Sequence, residues 1–225
     1  MARTVRYRYD LSRIYLELAR SALMPVHVRK ATPRYLQSKA GRSRRLQAAF
    51  ASVSISVIYS YLTIESFVNY QLFQCWTNRH RDSQAATRFL DLLGDRATFE
   101  AYRKDKRVRE LSERIKVLYR ILGYPPVHAS APTLWMEFLE LLETARHFLV
   151  HPLPDPLVVD ERIGALMMEN PAGLYSRVAS DLLADMYRQS GARQPMWLKR
   201  NGLIQLLGIQ VLTRRPVASP MREGP

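Results

Sequence analysis

Cysteine is almost missing from this chain: Cys75 is the only one in 225 residues. A lone thiol excludes an intramolecular disulfide and any multi-cysteine zinc cage, and it suits a reducing cytosol. Long apolar runs are missing as well. No uninterrupted stretch approaches the roughly 20 residues that a membrane span needs. The first ten residues carry Arg3, Arg6 and Arg8 but no apolar core of a secretory signal. No glycine-rich phosphate loop, Ser/His/Asp order or acidic metal pair stands out. The expectation is a soluble, cytoplasmic protein with no membrane partner and no cofactor.

Acidic residues are scarce, and the scarcity is local. The chain holds 34 Lys/Arg against 20 Asp/Glu, a net charge of +14. Residues 1–48 hold 12 Lys/Arg against Asp10 and Glu17, giving +10. Residues 49–192 are nearly balanced at −1, and residues 193–225 carry +5. A neutral body with two basic flanks is the pattern of a surface that meets a polyanion. Nucleic acid is the favoured specific partner; a solvated arm without a partner is the plain alternative. Arg29, Lys30, Arg34, Lys39, Arg42, Arg44 and Arg45 form a basic connector and are the candidate nucleic-acid contacts. Tyr7, Tyr9, Tyr15 and Tyr35 interleave with the N-terminal arginines and would stack on bases. For Tyr15 and Tyr35 a place in the core or as caps is the favoured reading.

What is present is a folded composition, 47% hydrophobic and 10% aromatic, with apolar residues at helical spacing. Leu11, Ile14, Leu18 and Leu23 lie near one face of a first helix, which Pro25 closes. A long helix is predicted from Leu46 to about Trp76, buried along Leu46, Phe50, Val53, Val57, Ile64, Val68 and Leu72. Val53 to Val57 also fits strand alternation, but the helical stripe continues on both sides. Helices follow near 84–93, 96–103 and 107–122, the last ending at Gly123. Pro132 opens another, with the stripe Leu134, Phe138, Leu141, Ala145 and Phe148. Pro152 and Pro154 end it, which puts His151 at its frayed end. Further helices are expected near 158–168 and 172–189. The predicted fold is all-α, an antiparallel helical bundle over 46–190. A basic N-terminal helix and connector (1–45) precede it, and a basic C-terminal tail (191–225) follows.

The chemistry concentrates in Arg146-His147-Phe148-Leu149-Val150-His151. A permanent cation stands there beside two groups that exchange protons near neutral pH, a combination suited to a phosphodiester. Arg146 falls on the border of the apolar face. Pairing with Glu143, snorkelling, or offsetting the helix dipole would each account for it without function. His147 and His151 are spaced as metal ligands, but Phe148 stands where a zinc protease needs Glu, and no third ligand shows itself.

Arg, a polar residue, and His four positions on, at the end of a late helix, resembles the signature of the HEPN superfamily. The upstream run Ser60-Tyr61-Leu62-Thr63-Ile64-Glu65-Ser66-Phe67-Val68-Asn69 is similar to a helix found in many of its members. The resemblance covers roughly residues 46–190. It implies a four- or five-helix bundle that dimerises with the motif helices facing each other. It also implies a metal-independent endoribonuclease of a toxin–antitoxin or defence system, or a module that has lost activity and binds RNA, a nucleotide or a protein. RNA, a second copy of the chain, and an antitoxin or regulatory protein are the implied partners. In the catalytic case His151 would carry the proton, Arg146 would hold the phosphoryl oxygens, and His147 would orient them or carry a second proton. Glu65 would steady Arg146 or His151, or else partner a structural arginine.

Overall fold

One helix sets the positions of the others. The computed structural model describes residues 2–22, 39–150 and 173–198, and every regular element among them is helical. The fold is all-α. Helix α2, Lys39–Thr77, runs for 39 residues, about 58 Å at 1.5 Å per residue. It begins seven residues before the expected Leu46. Lys39, Ala40, Arg42, Arg44 and Arg45 are good helix formers with no proline among them, so the pattern propagates backwards. Lys39, Arg42, Arg44 and Arg45 therefore belong to the first turns of α2 and not to a connector. Val53 to Val57 is helix and not strand.

Helix α1, Ala2–Ser21, packs along α2, but not through the face its leucines suggest. Leu11, Ile14 and Leu18 are 41%, 45% and 39% exposed, whereas Ser12, Leu16 and Ala19 are buried. Two of the three inward residues, Ser12 and Ala19, are small, and α2 buries small residues of its own at Ser56, Ser60 and Thr63. Small side chains at a contact let two helix axes approach closely. Ser12 and Ser66 share a hydroxyl hydrogen bond at 2.6 Å, and Tyr15 stacks on Tyr59 with centroids 5.8 Å apart. At the end of α1, Arg20 donates to the carbonyls of Trp197 and Leu198 and to Ser180 Oγ.

Caps written into the sequence delimit the shorter helices. Ser83 accepts from the Ala86 amide and starts α3, Gln84–Leu93. Thr98 does the same for α4, Phe99–Arg103. A single 3₁₀ turn, Lys106–Val108, leads into α5, Leu111–Leu122. Gly123 ends α5 in the left-handed conformation, φ +74°. A Cβ there would meet Arg88 Nη2 at 2.8 Å, because Arg88 folds over the helix end and donates to Ile121 O.

Helices α6, Val127–Ser130, and α7, Pro132–Met136, follow. The expected continuous helix from Pro132 to about His151 is interrupted by a π-helical stretch, Glu137–Glu143, before α8, Thr144–Val150. The Thr144 amide and hydroxyl both turn to Leu139 O, five residues back. The buried line becomes Trp135, Phe138, Leu142, Ala145 and Phe148, with Leu134 and Leu141 half-buried beside it. This inward row differs from the expected one by one residue at two of five positions. Helix α9, Leu174–Gln189, completes the core against α2. Buried Tyr119 donates to Asp185 at 2.8 Å and ties α5 to α9.

Among the described residues, Phe50–Thr77 of α2 is long and apolar enough to cross a membrane by length and composition. Half of its most apolar window is buried inside the fold.

Candidate functional site

The flank of α2 between Tyr61 and Asn69 gathers the charges that matter. Tyr61, Glu65 and Asn69 recur every four residues, so they project from one side of the helix. Two arginines from different elements meet this row. Arg114, on α5, is 8% exposed. Its Nη2 donates to Glu65 Oε1 at 2.9 Å and its Nη1 to Asn69 Oδ1 at 2.6 Å. Arg146, on α8, places its guanidinium carbon 4.9 Å from the centre of the Tyr61 ring. Among the described residues it makes no ion pair. It is half-buried.

The two arginines are thus held by different physics. Arg114 is sealed by a carboxylate and an amide, the arrangement that makes a buried cation tolerable. Arg146 is held by the negative face of a ring, and no carboxylate among the described residues pairs with its N–H donors. Tyr61 is itself buried. Burial first, and the neighbouring Glu65 carboxylate second, push its hydroxyl up to about 12, so it stays protonated and is no proton carrier near neutral pH.

Glu143 lies one turn before Arg146 and also acts on Tyr61. The Ser112 amide donates to its Oε1 at 3.4 Å. Burial raises its carboxyl above the ordinary value, against the opposing pull of the Ser112 hydrogen bonds. That hydrogen bond links the first turn of α5 to the end of the π-helical stretch, just before α8.

Of the residues singled out by sequence, Glu65 and Arg146 flank the same aromatic ring. Glu65's hydrogen-bonded partner is Arg114. His147 is exposed on α8. His151 lies outside the described residues, as do Arg29, Lys30 and Arg34. Lys39, Arg42, Arg44 and Arg45 are placed on α2, with side chains outside the described set. Among the described residues no group of three or more His, Cys, Asp or Glu is gathered as metal ligands would be.

Sequence reasoning missed Tyr61, Asn69 and Arg114 as site residues. A signal existed for the last. Arg114 sits between Leu111 and Leu118 on the inward side of α5, and a charge on a buried face needs a partner nearby. Comparison with protein families, with curated proteins and with solved structures returns no match. Function has to be read from the side chains themselves.

Proposed function

We propose that this chain is a metal-independent endoribonuclease of the HEPN type. It would act as a homodimer on RNA in a toxin or defence setting, with an antitoxin or regulatory protein as its controlling partner. One observation supports this above others. Arg146 holds a half-buried guanidinium against the Tyr61 ring and spends none of its charge on a carboxylate among the described residues. Such a group is ready for an anion. A planar guanidinium matches two phosphoryl oxygens at once.

RNA supplies its own nucleophile, the 2′-hydroxyl, so the protein needs only to move protons and stabilise charge on phosphorus. Arg146 does the second task. His151, whose type titrates near neutral pH, takes the first, with His147 orienting or sharing it. Glu65 acts at one remove, fixing Arg114 beside the ring that carries Arg146. The products are a 2′,3′-cyclic phosphate and a 5′-hydroxyl, and DNA resists cleavage.

The test is cleavage of single-stranded RNA by the purified full chain in EDTA. Wild type cleaves; Arg146→Ala and His151→Ala each lose about 10²-fold or more in rate with the fold intact. Equal cleavage by all three removes the reading. Salt-sensitive RNA binding without turnover in any of them selects the non-catalytic binding module in its place.

A further inference from the structure

A dense run of exposed cations lies outside the Arg146 cluster. Arg103, Lys104, Lys106, Arg107 and Arg109, five cations within seven residues, are all exposed. They span the end of α4, the 3₁₀ turn and the approach to α5. The acid within the run, Asp105, does not dilute them outwardly. Its side chain is 8% exposed and is held by Arg96 from below and Arg107 from beside. Asp105 also caps the 3₁₀ turn by accepting from the Arg107 amide at 2.9 Å. Those contacts hold its carboxyl far below the ordinary range, foremost the Arg107 hydrogen bond. Tyr102 and Val108, both buried, peg the turn to the core on either side. Arg107 is committed to Asp105, and Arg103 leans on Glu100 at 3.4 Å. Lys104, Lys106 and Arg109 make no ion pair among the described residues.

We propose that this ridge, Lys104, Lys106 and Arg109 above the Asp105 cage, binds the phosphate backbone of single-stranded RNA and feeds it to the Arg146 site. The proposal rests on the RNA-cleaving reading and adds where the substrate lies. The route is short. Three residues after Arg109, the Ser112 amide contacts Glu143, one turn from Arg146. Two residues further, Arg114 holds Glu65 beside Tyr61. An anionic lipid surface is the weaker fit, because none of the large exposed apolar side chains among the described residues belongs to the ridge.

The experiment measures anisotropy of a labelled 2′-O-methyl oligouridylate, which binds but lacks the nucleophile, across a salt series. The proteins are full-length wild type, Lys104→Gln/Lys106→Gln/Arg109→Gln, the off-ridge control Arg81→Gln/Arg120→Gln, and Arg146→Ala. Each phosphate contact on a single strand contributes about 0.7 to the slope of log affinity against log salt. The ridge variant flattens that slope by about 2 and binds at least about tenfold more weakly at moderate salt. The control changes far less, and all variants melt with wild type. An unchanged slope in the folded ridge variant overturns the ridge. So does an equal loss in the control, which would make the binding diffuse. Both results leave the Arg146 reading to its cleavage assay. Wild type that ignores the oligonucleotide but binds phosphatidylserine vesicles overturns the ridge and the RNA reading together.

Discussion

Arg114 and Arg146 stand against the same helix flank within two turns of each other and lead opposite lives. Arg114 is sealed, with Glu65 and Asn69 answering two of its nitrogens. Arg146 faces an aromatic ring and makes no ion pair among the described residues. The difference teaches where to look for chemistry. A paired, enclosed cation supports the fold, because removing one partner strands the other charge in a poor solvent. A cation placed by a ring is positioned without being neutralised. Position without neutralisation is what an anion-binding group requires.

The largest effect that would sharpen this contrast is on turnover. Loss of a positioned donor to developing negative charge costs roughly 10²–10³-fold in rate. Arg146→Ala should lower RNA cleavage by that order while shifting stability by less than about 1 kcal/mol. Urea titrations set beside single-turnover cleavage rates measure both. Arg114→Ala should reverse the pattern. It leaves Glu65 facing a cavity without its cation, and a loss of about 2–4 kcal/mol is expected. Comparable stability losses in both variants would erase the distinction between the two arginines.

The ring that carries Arg146 gives a finer cut. Tyr61→Phe keeps the aromatic face, and its high hydroxyl takes no part in proton transfer, so cleavage should stay within about twofold of wild type. Tyr61→Leu removes the face and with it roughly 0.5–1 kcal/mol of cation–π attraction. That amounts to a two- to fivefold loss in RNA affinity, read by the same anisotropy assay. A large defect in Tyr61→Phe would instead assign a role to the hydroxyl.

The helices were largely legible in the sequence because their signals are local. Gly123 and Pro132 mark boundaries through dihedral preferences that reach only a few residues, and the Ser83 and Thr98 caps, not singled out in the sequence, act over the same range. The stripe Val53, Val57, Ile64, Val68 and Leu72 is buried as its spacing demands. What the spacing concealed was tertiary. Leu11, Ile14 and Leu18 look like a core face, but the packing of α1 on α2 buries Ser12, Leu16 and Ala19 instead. The π-helical stretch in Glu137–Glu143 carries no glycine or proline to announce it. The partner of Glu65 was out of reach for the same reason. Arg114 is 49 residues away, and periodicity within one helix says nothing about which neighbour it meets.

The smallest expected effect separates Glu143 from Glu65, two carboxylates bordering Tyr61 with different duties. Glu65 answers a buried cation. Glu143 is raised above its ordinary value, first by burial and with some help from Glu110, against Ser112 and Lys116. A raised carboxyl means the folded protein binds more protons than the unfolded chain above about pH 4.5, the unperturbed value. Stability from this group is therefore greatest in acid and falls as pH climbs toward the elevated folded value. Glu143→Gln keeps an oxygen for the Ser112 amide and removes the charge. Neutral-pH stability should rise by less than about 1 kcal/mol, since solvent reaches part of the side chain and screens it. The gain should vanish below about pH 4.5, where both forms are neutral. Glu65→Gln should do the opposite, losing stability at neutral pH because Arg114 is left with a neutral partner. If the two variants shift urea midpoints in the same direction at pH 7, the site does not divide its carboxylates in this way.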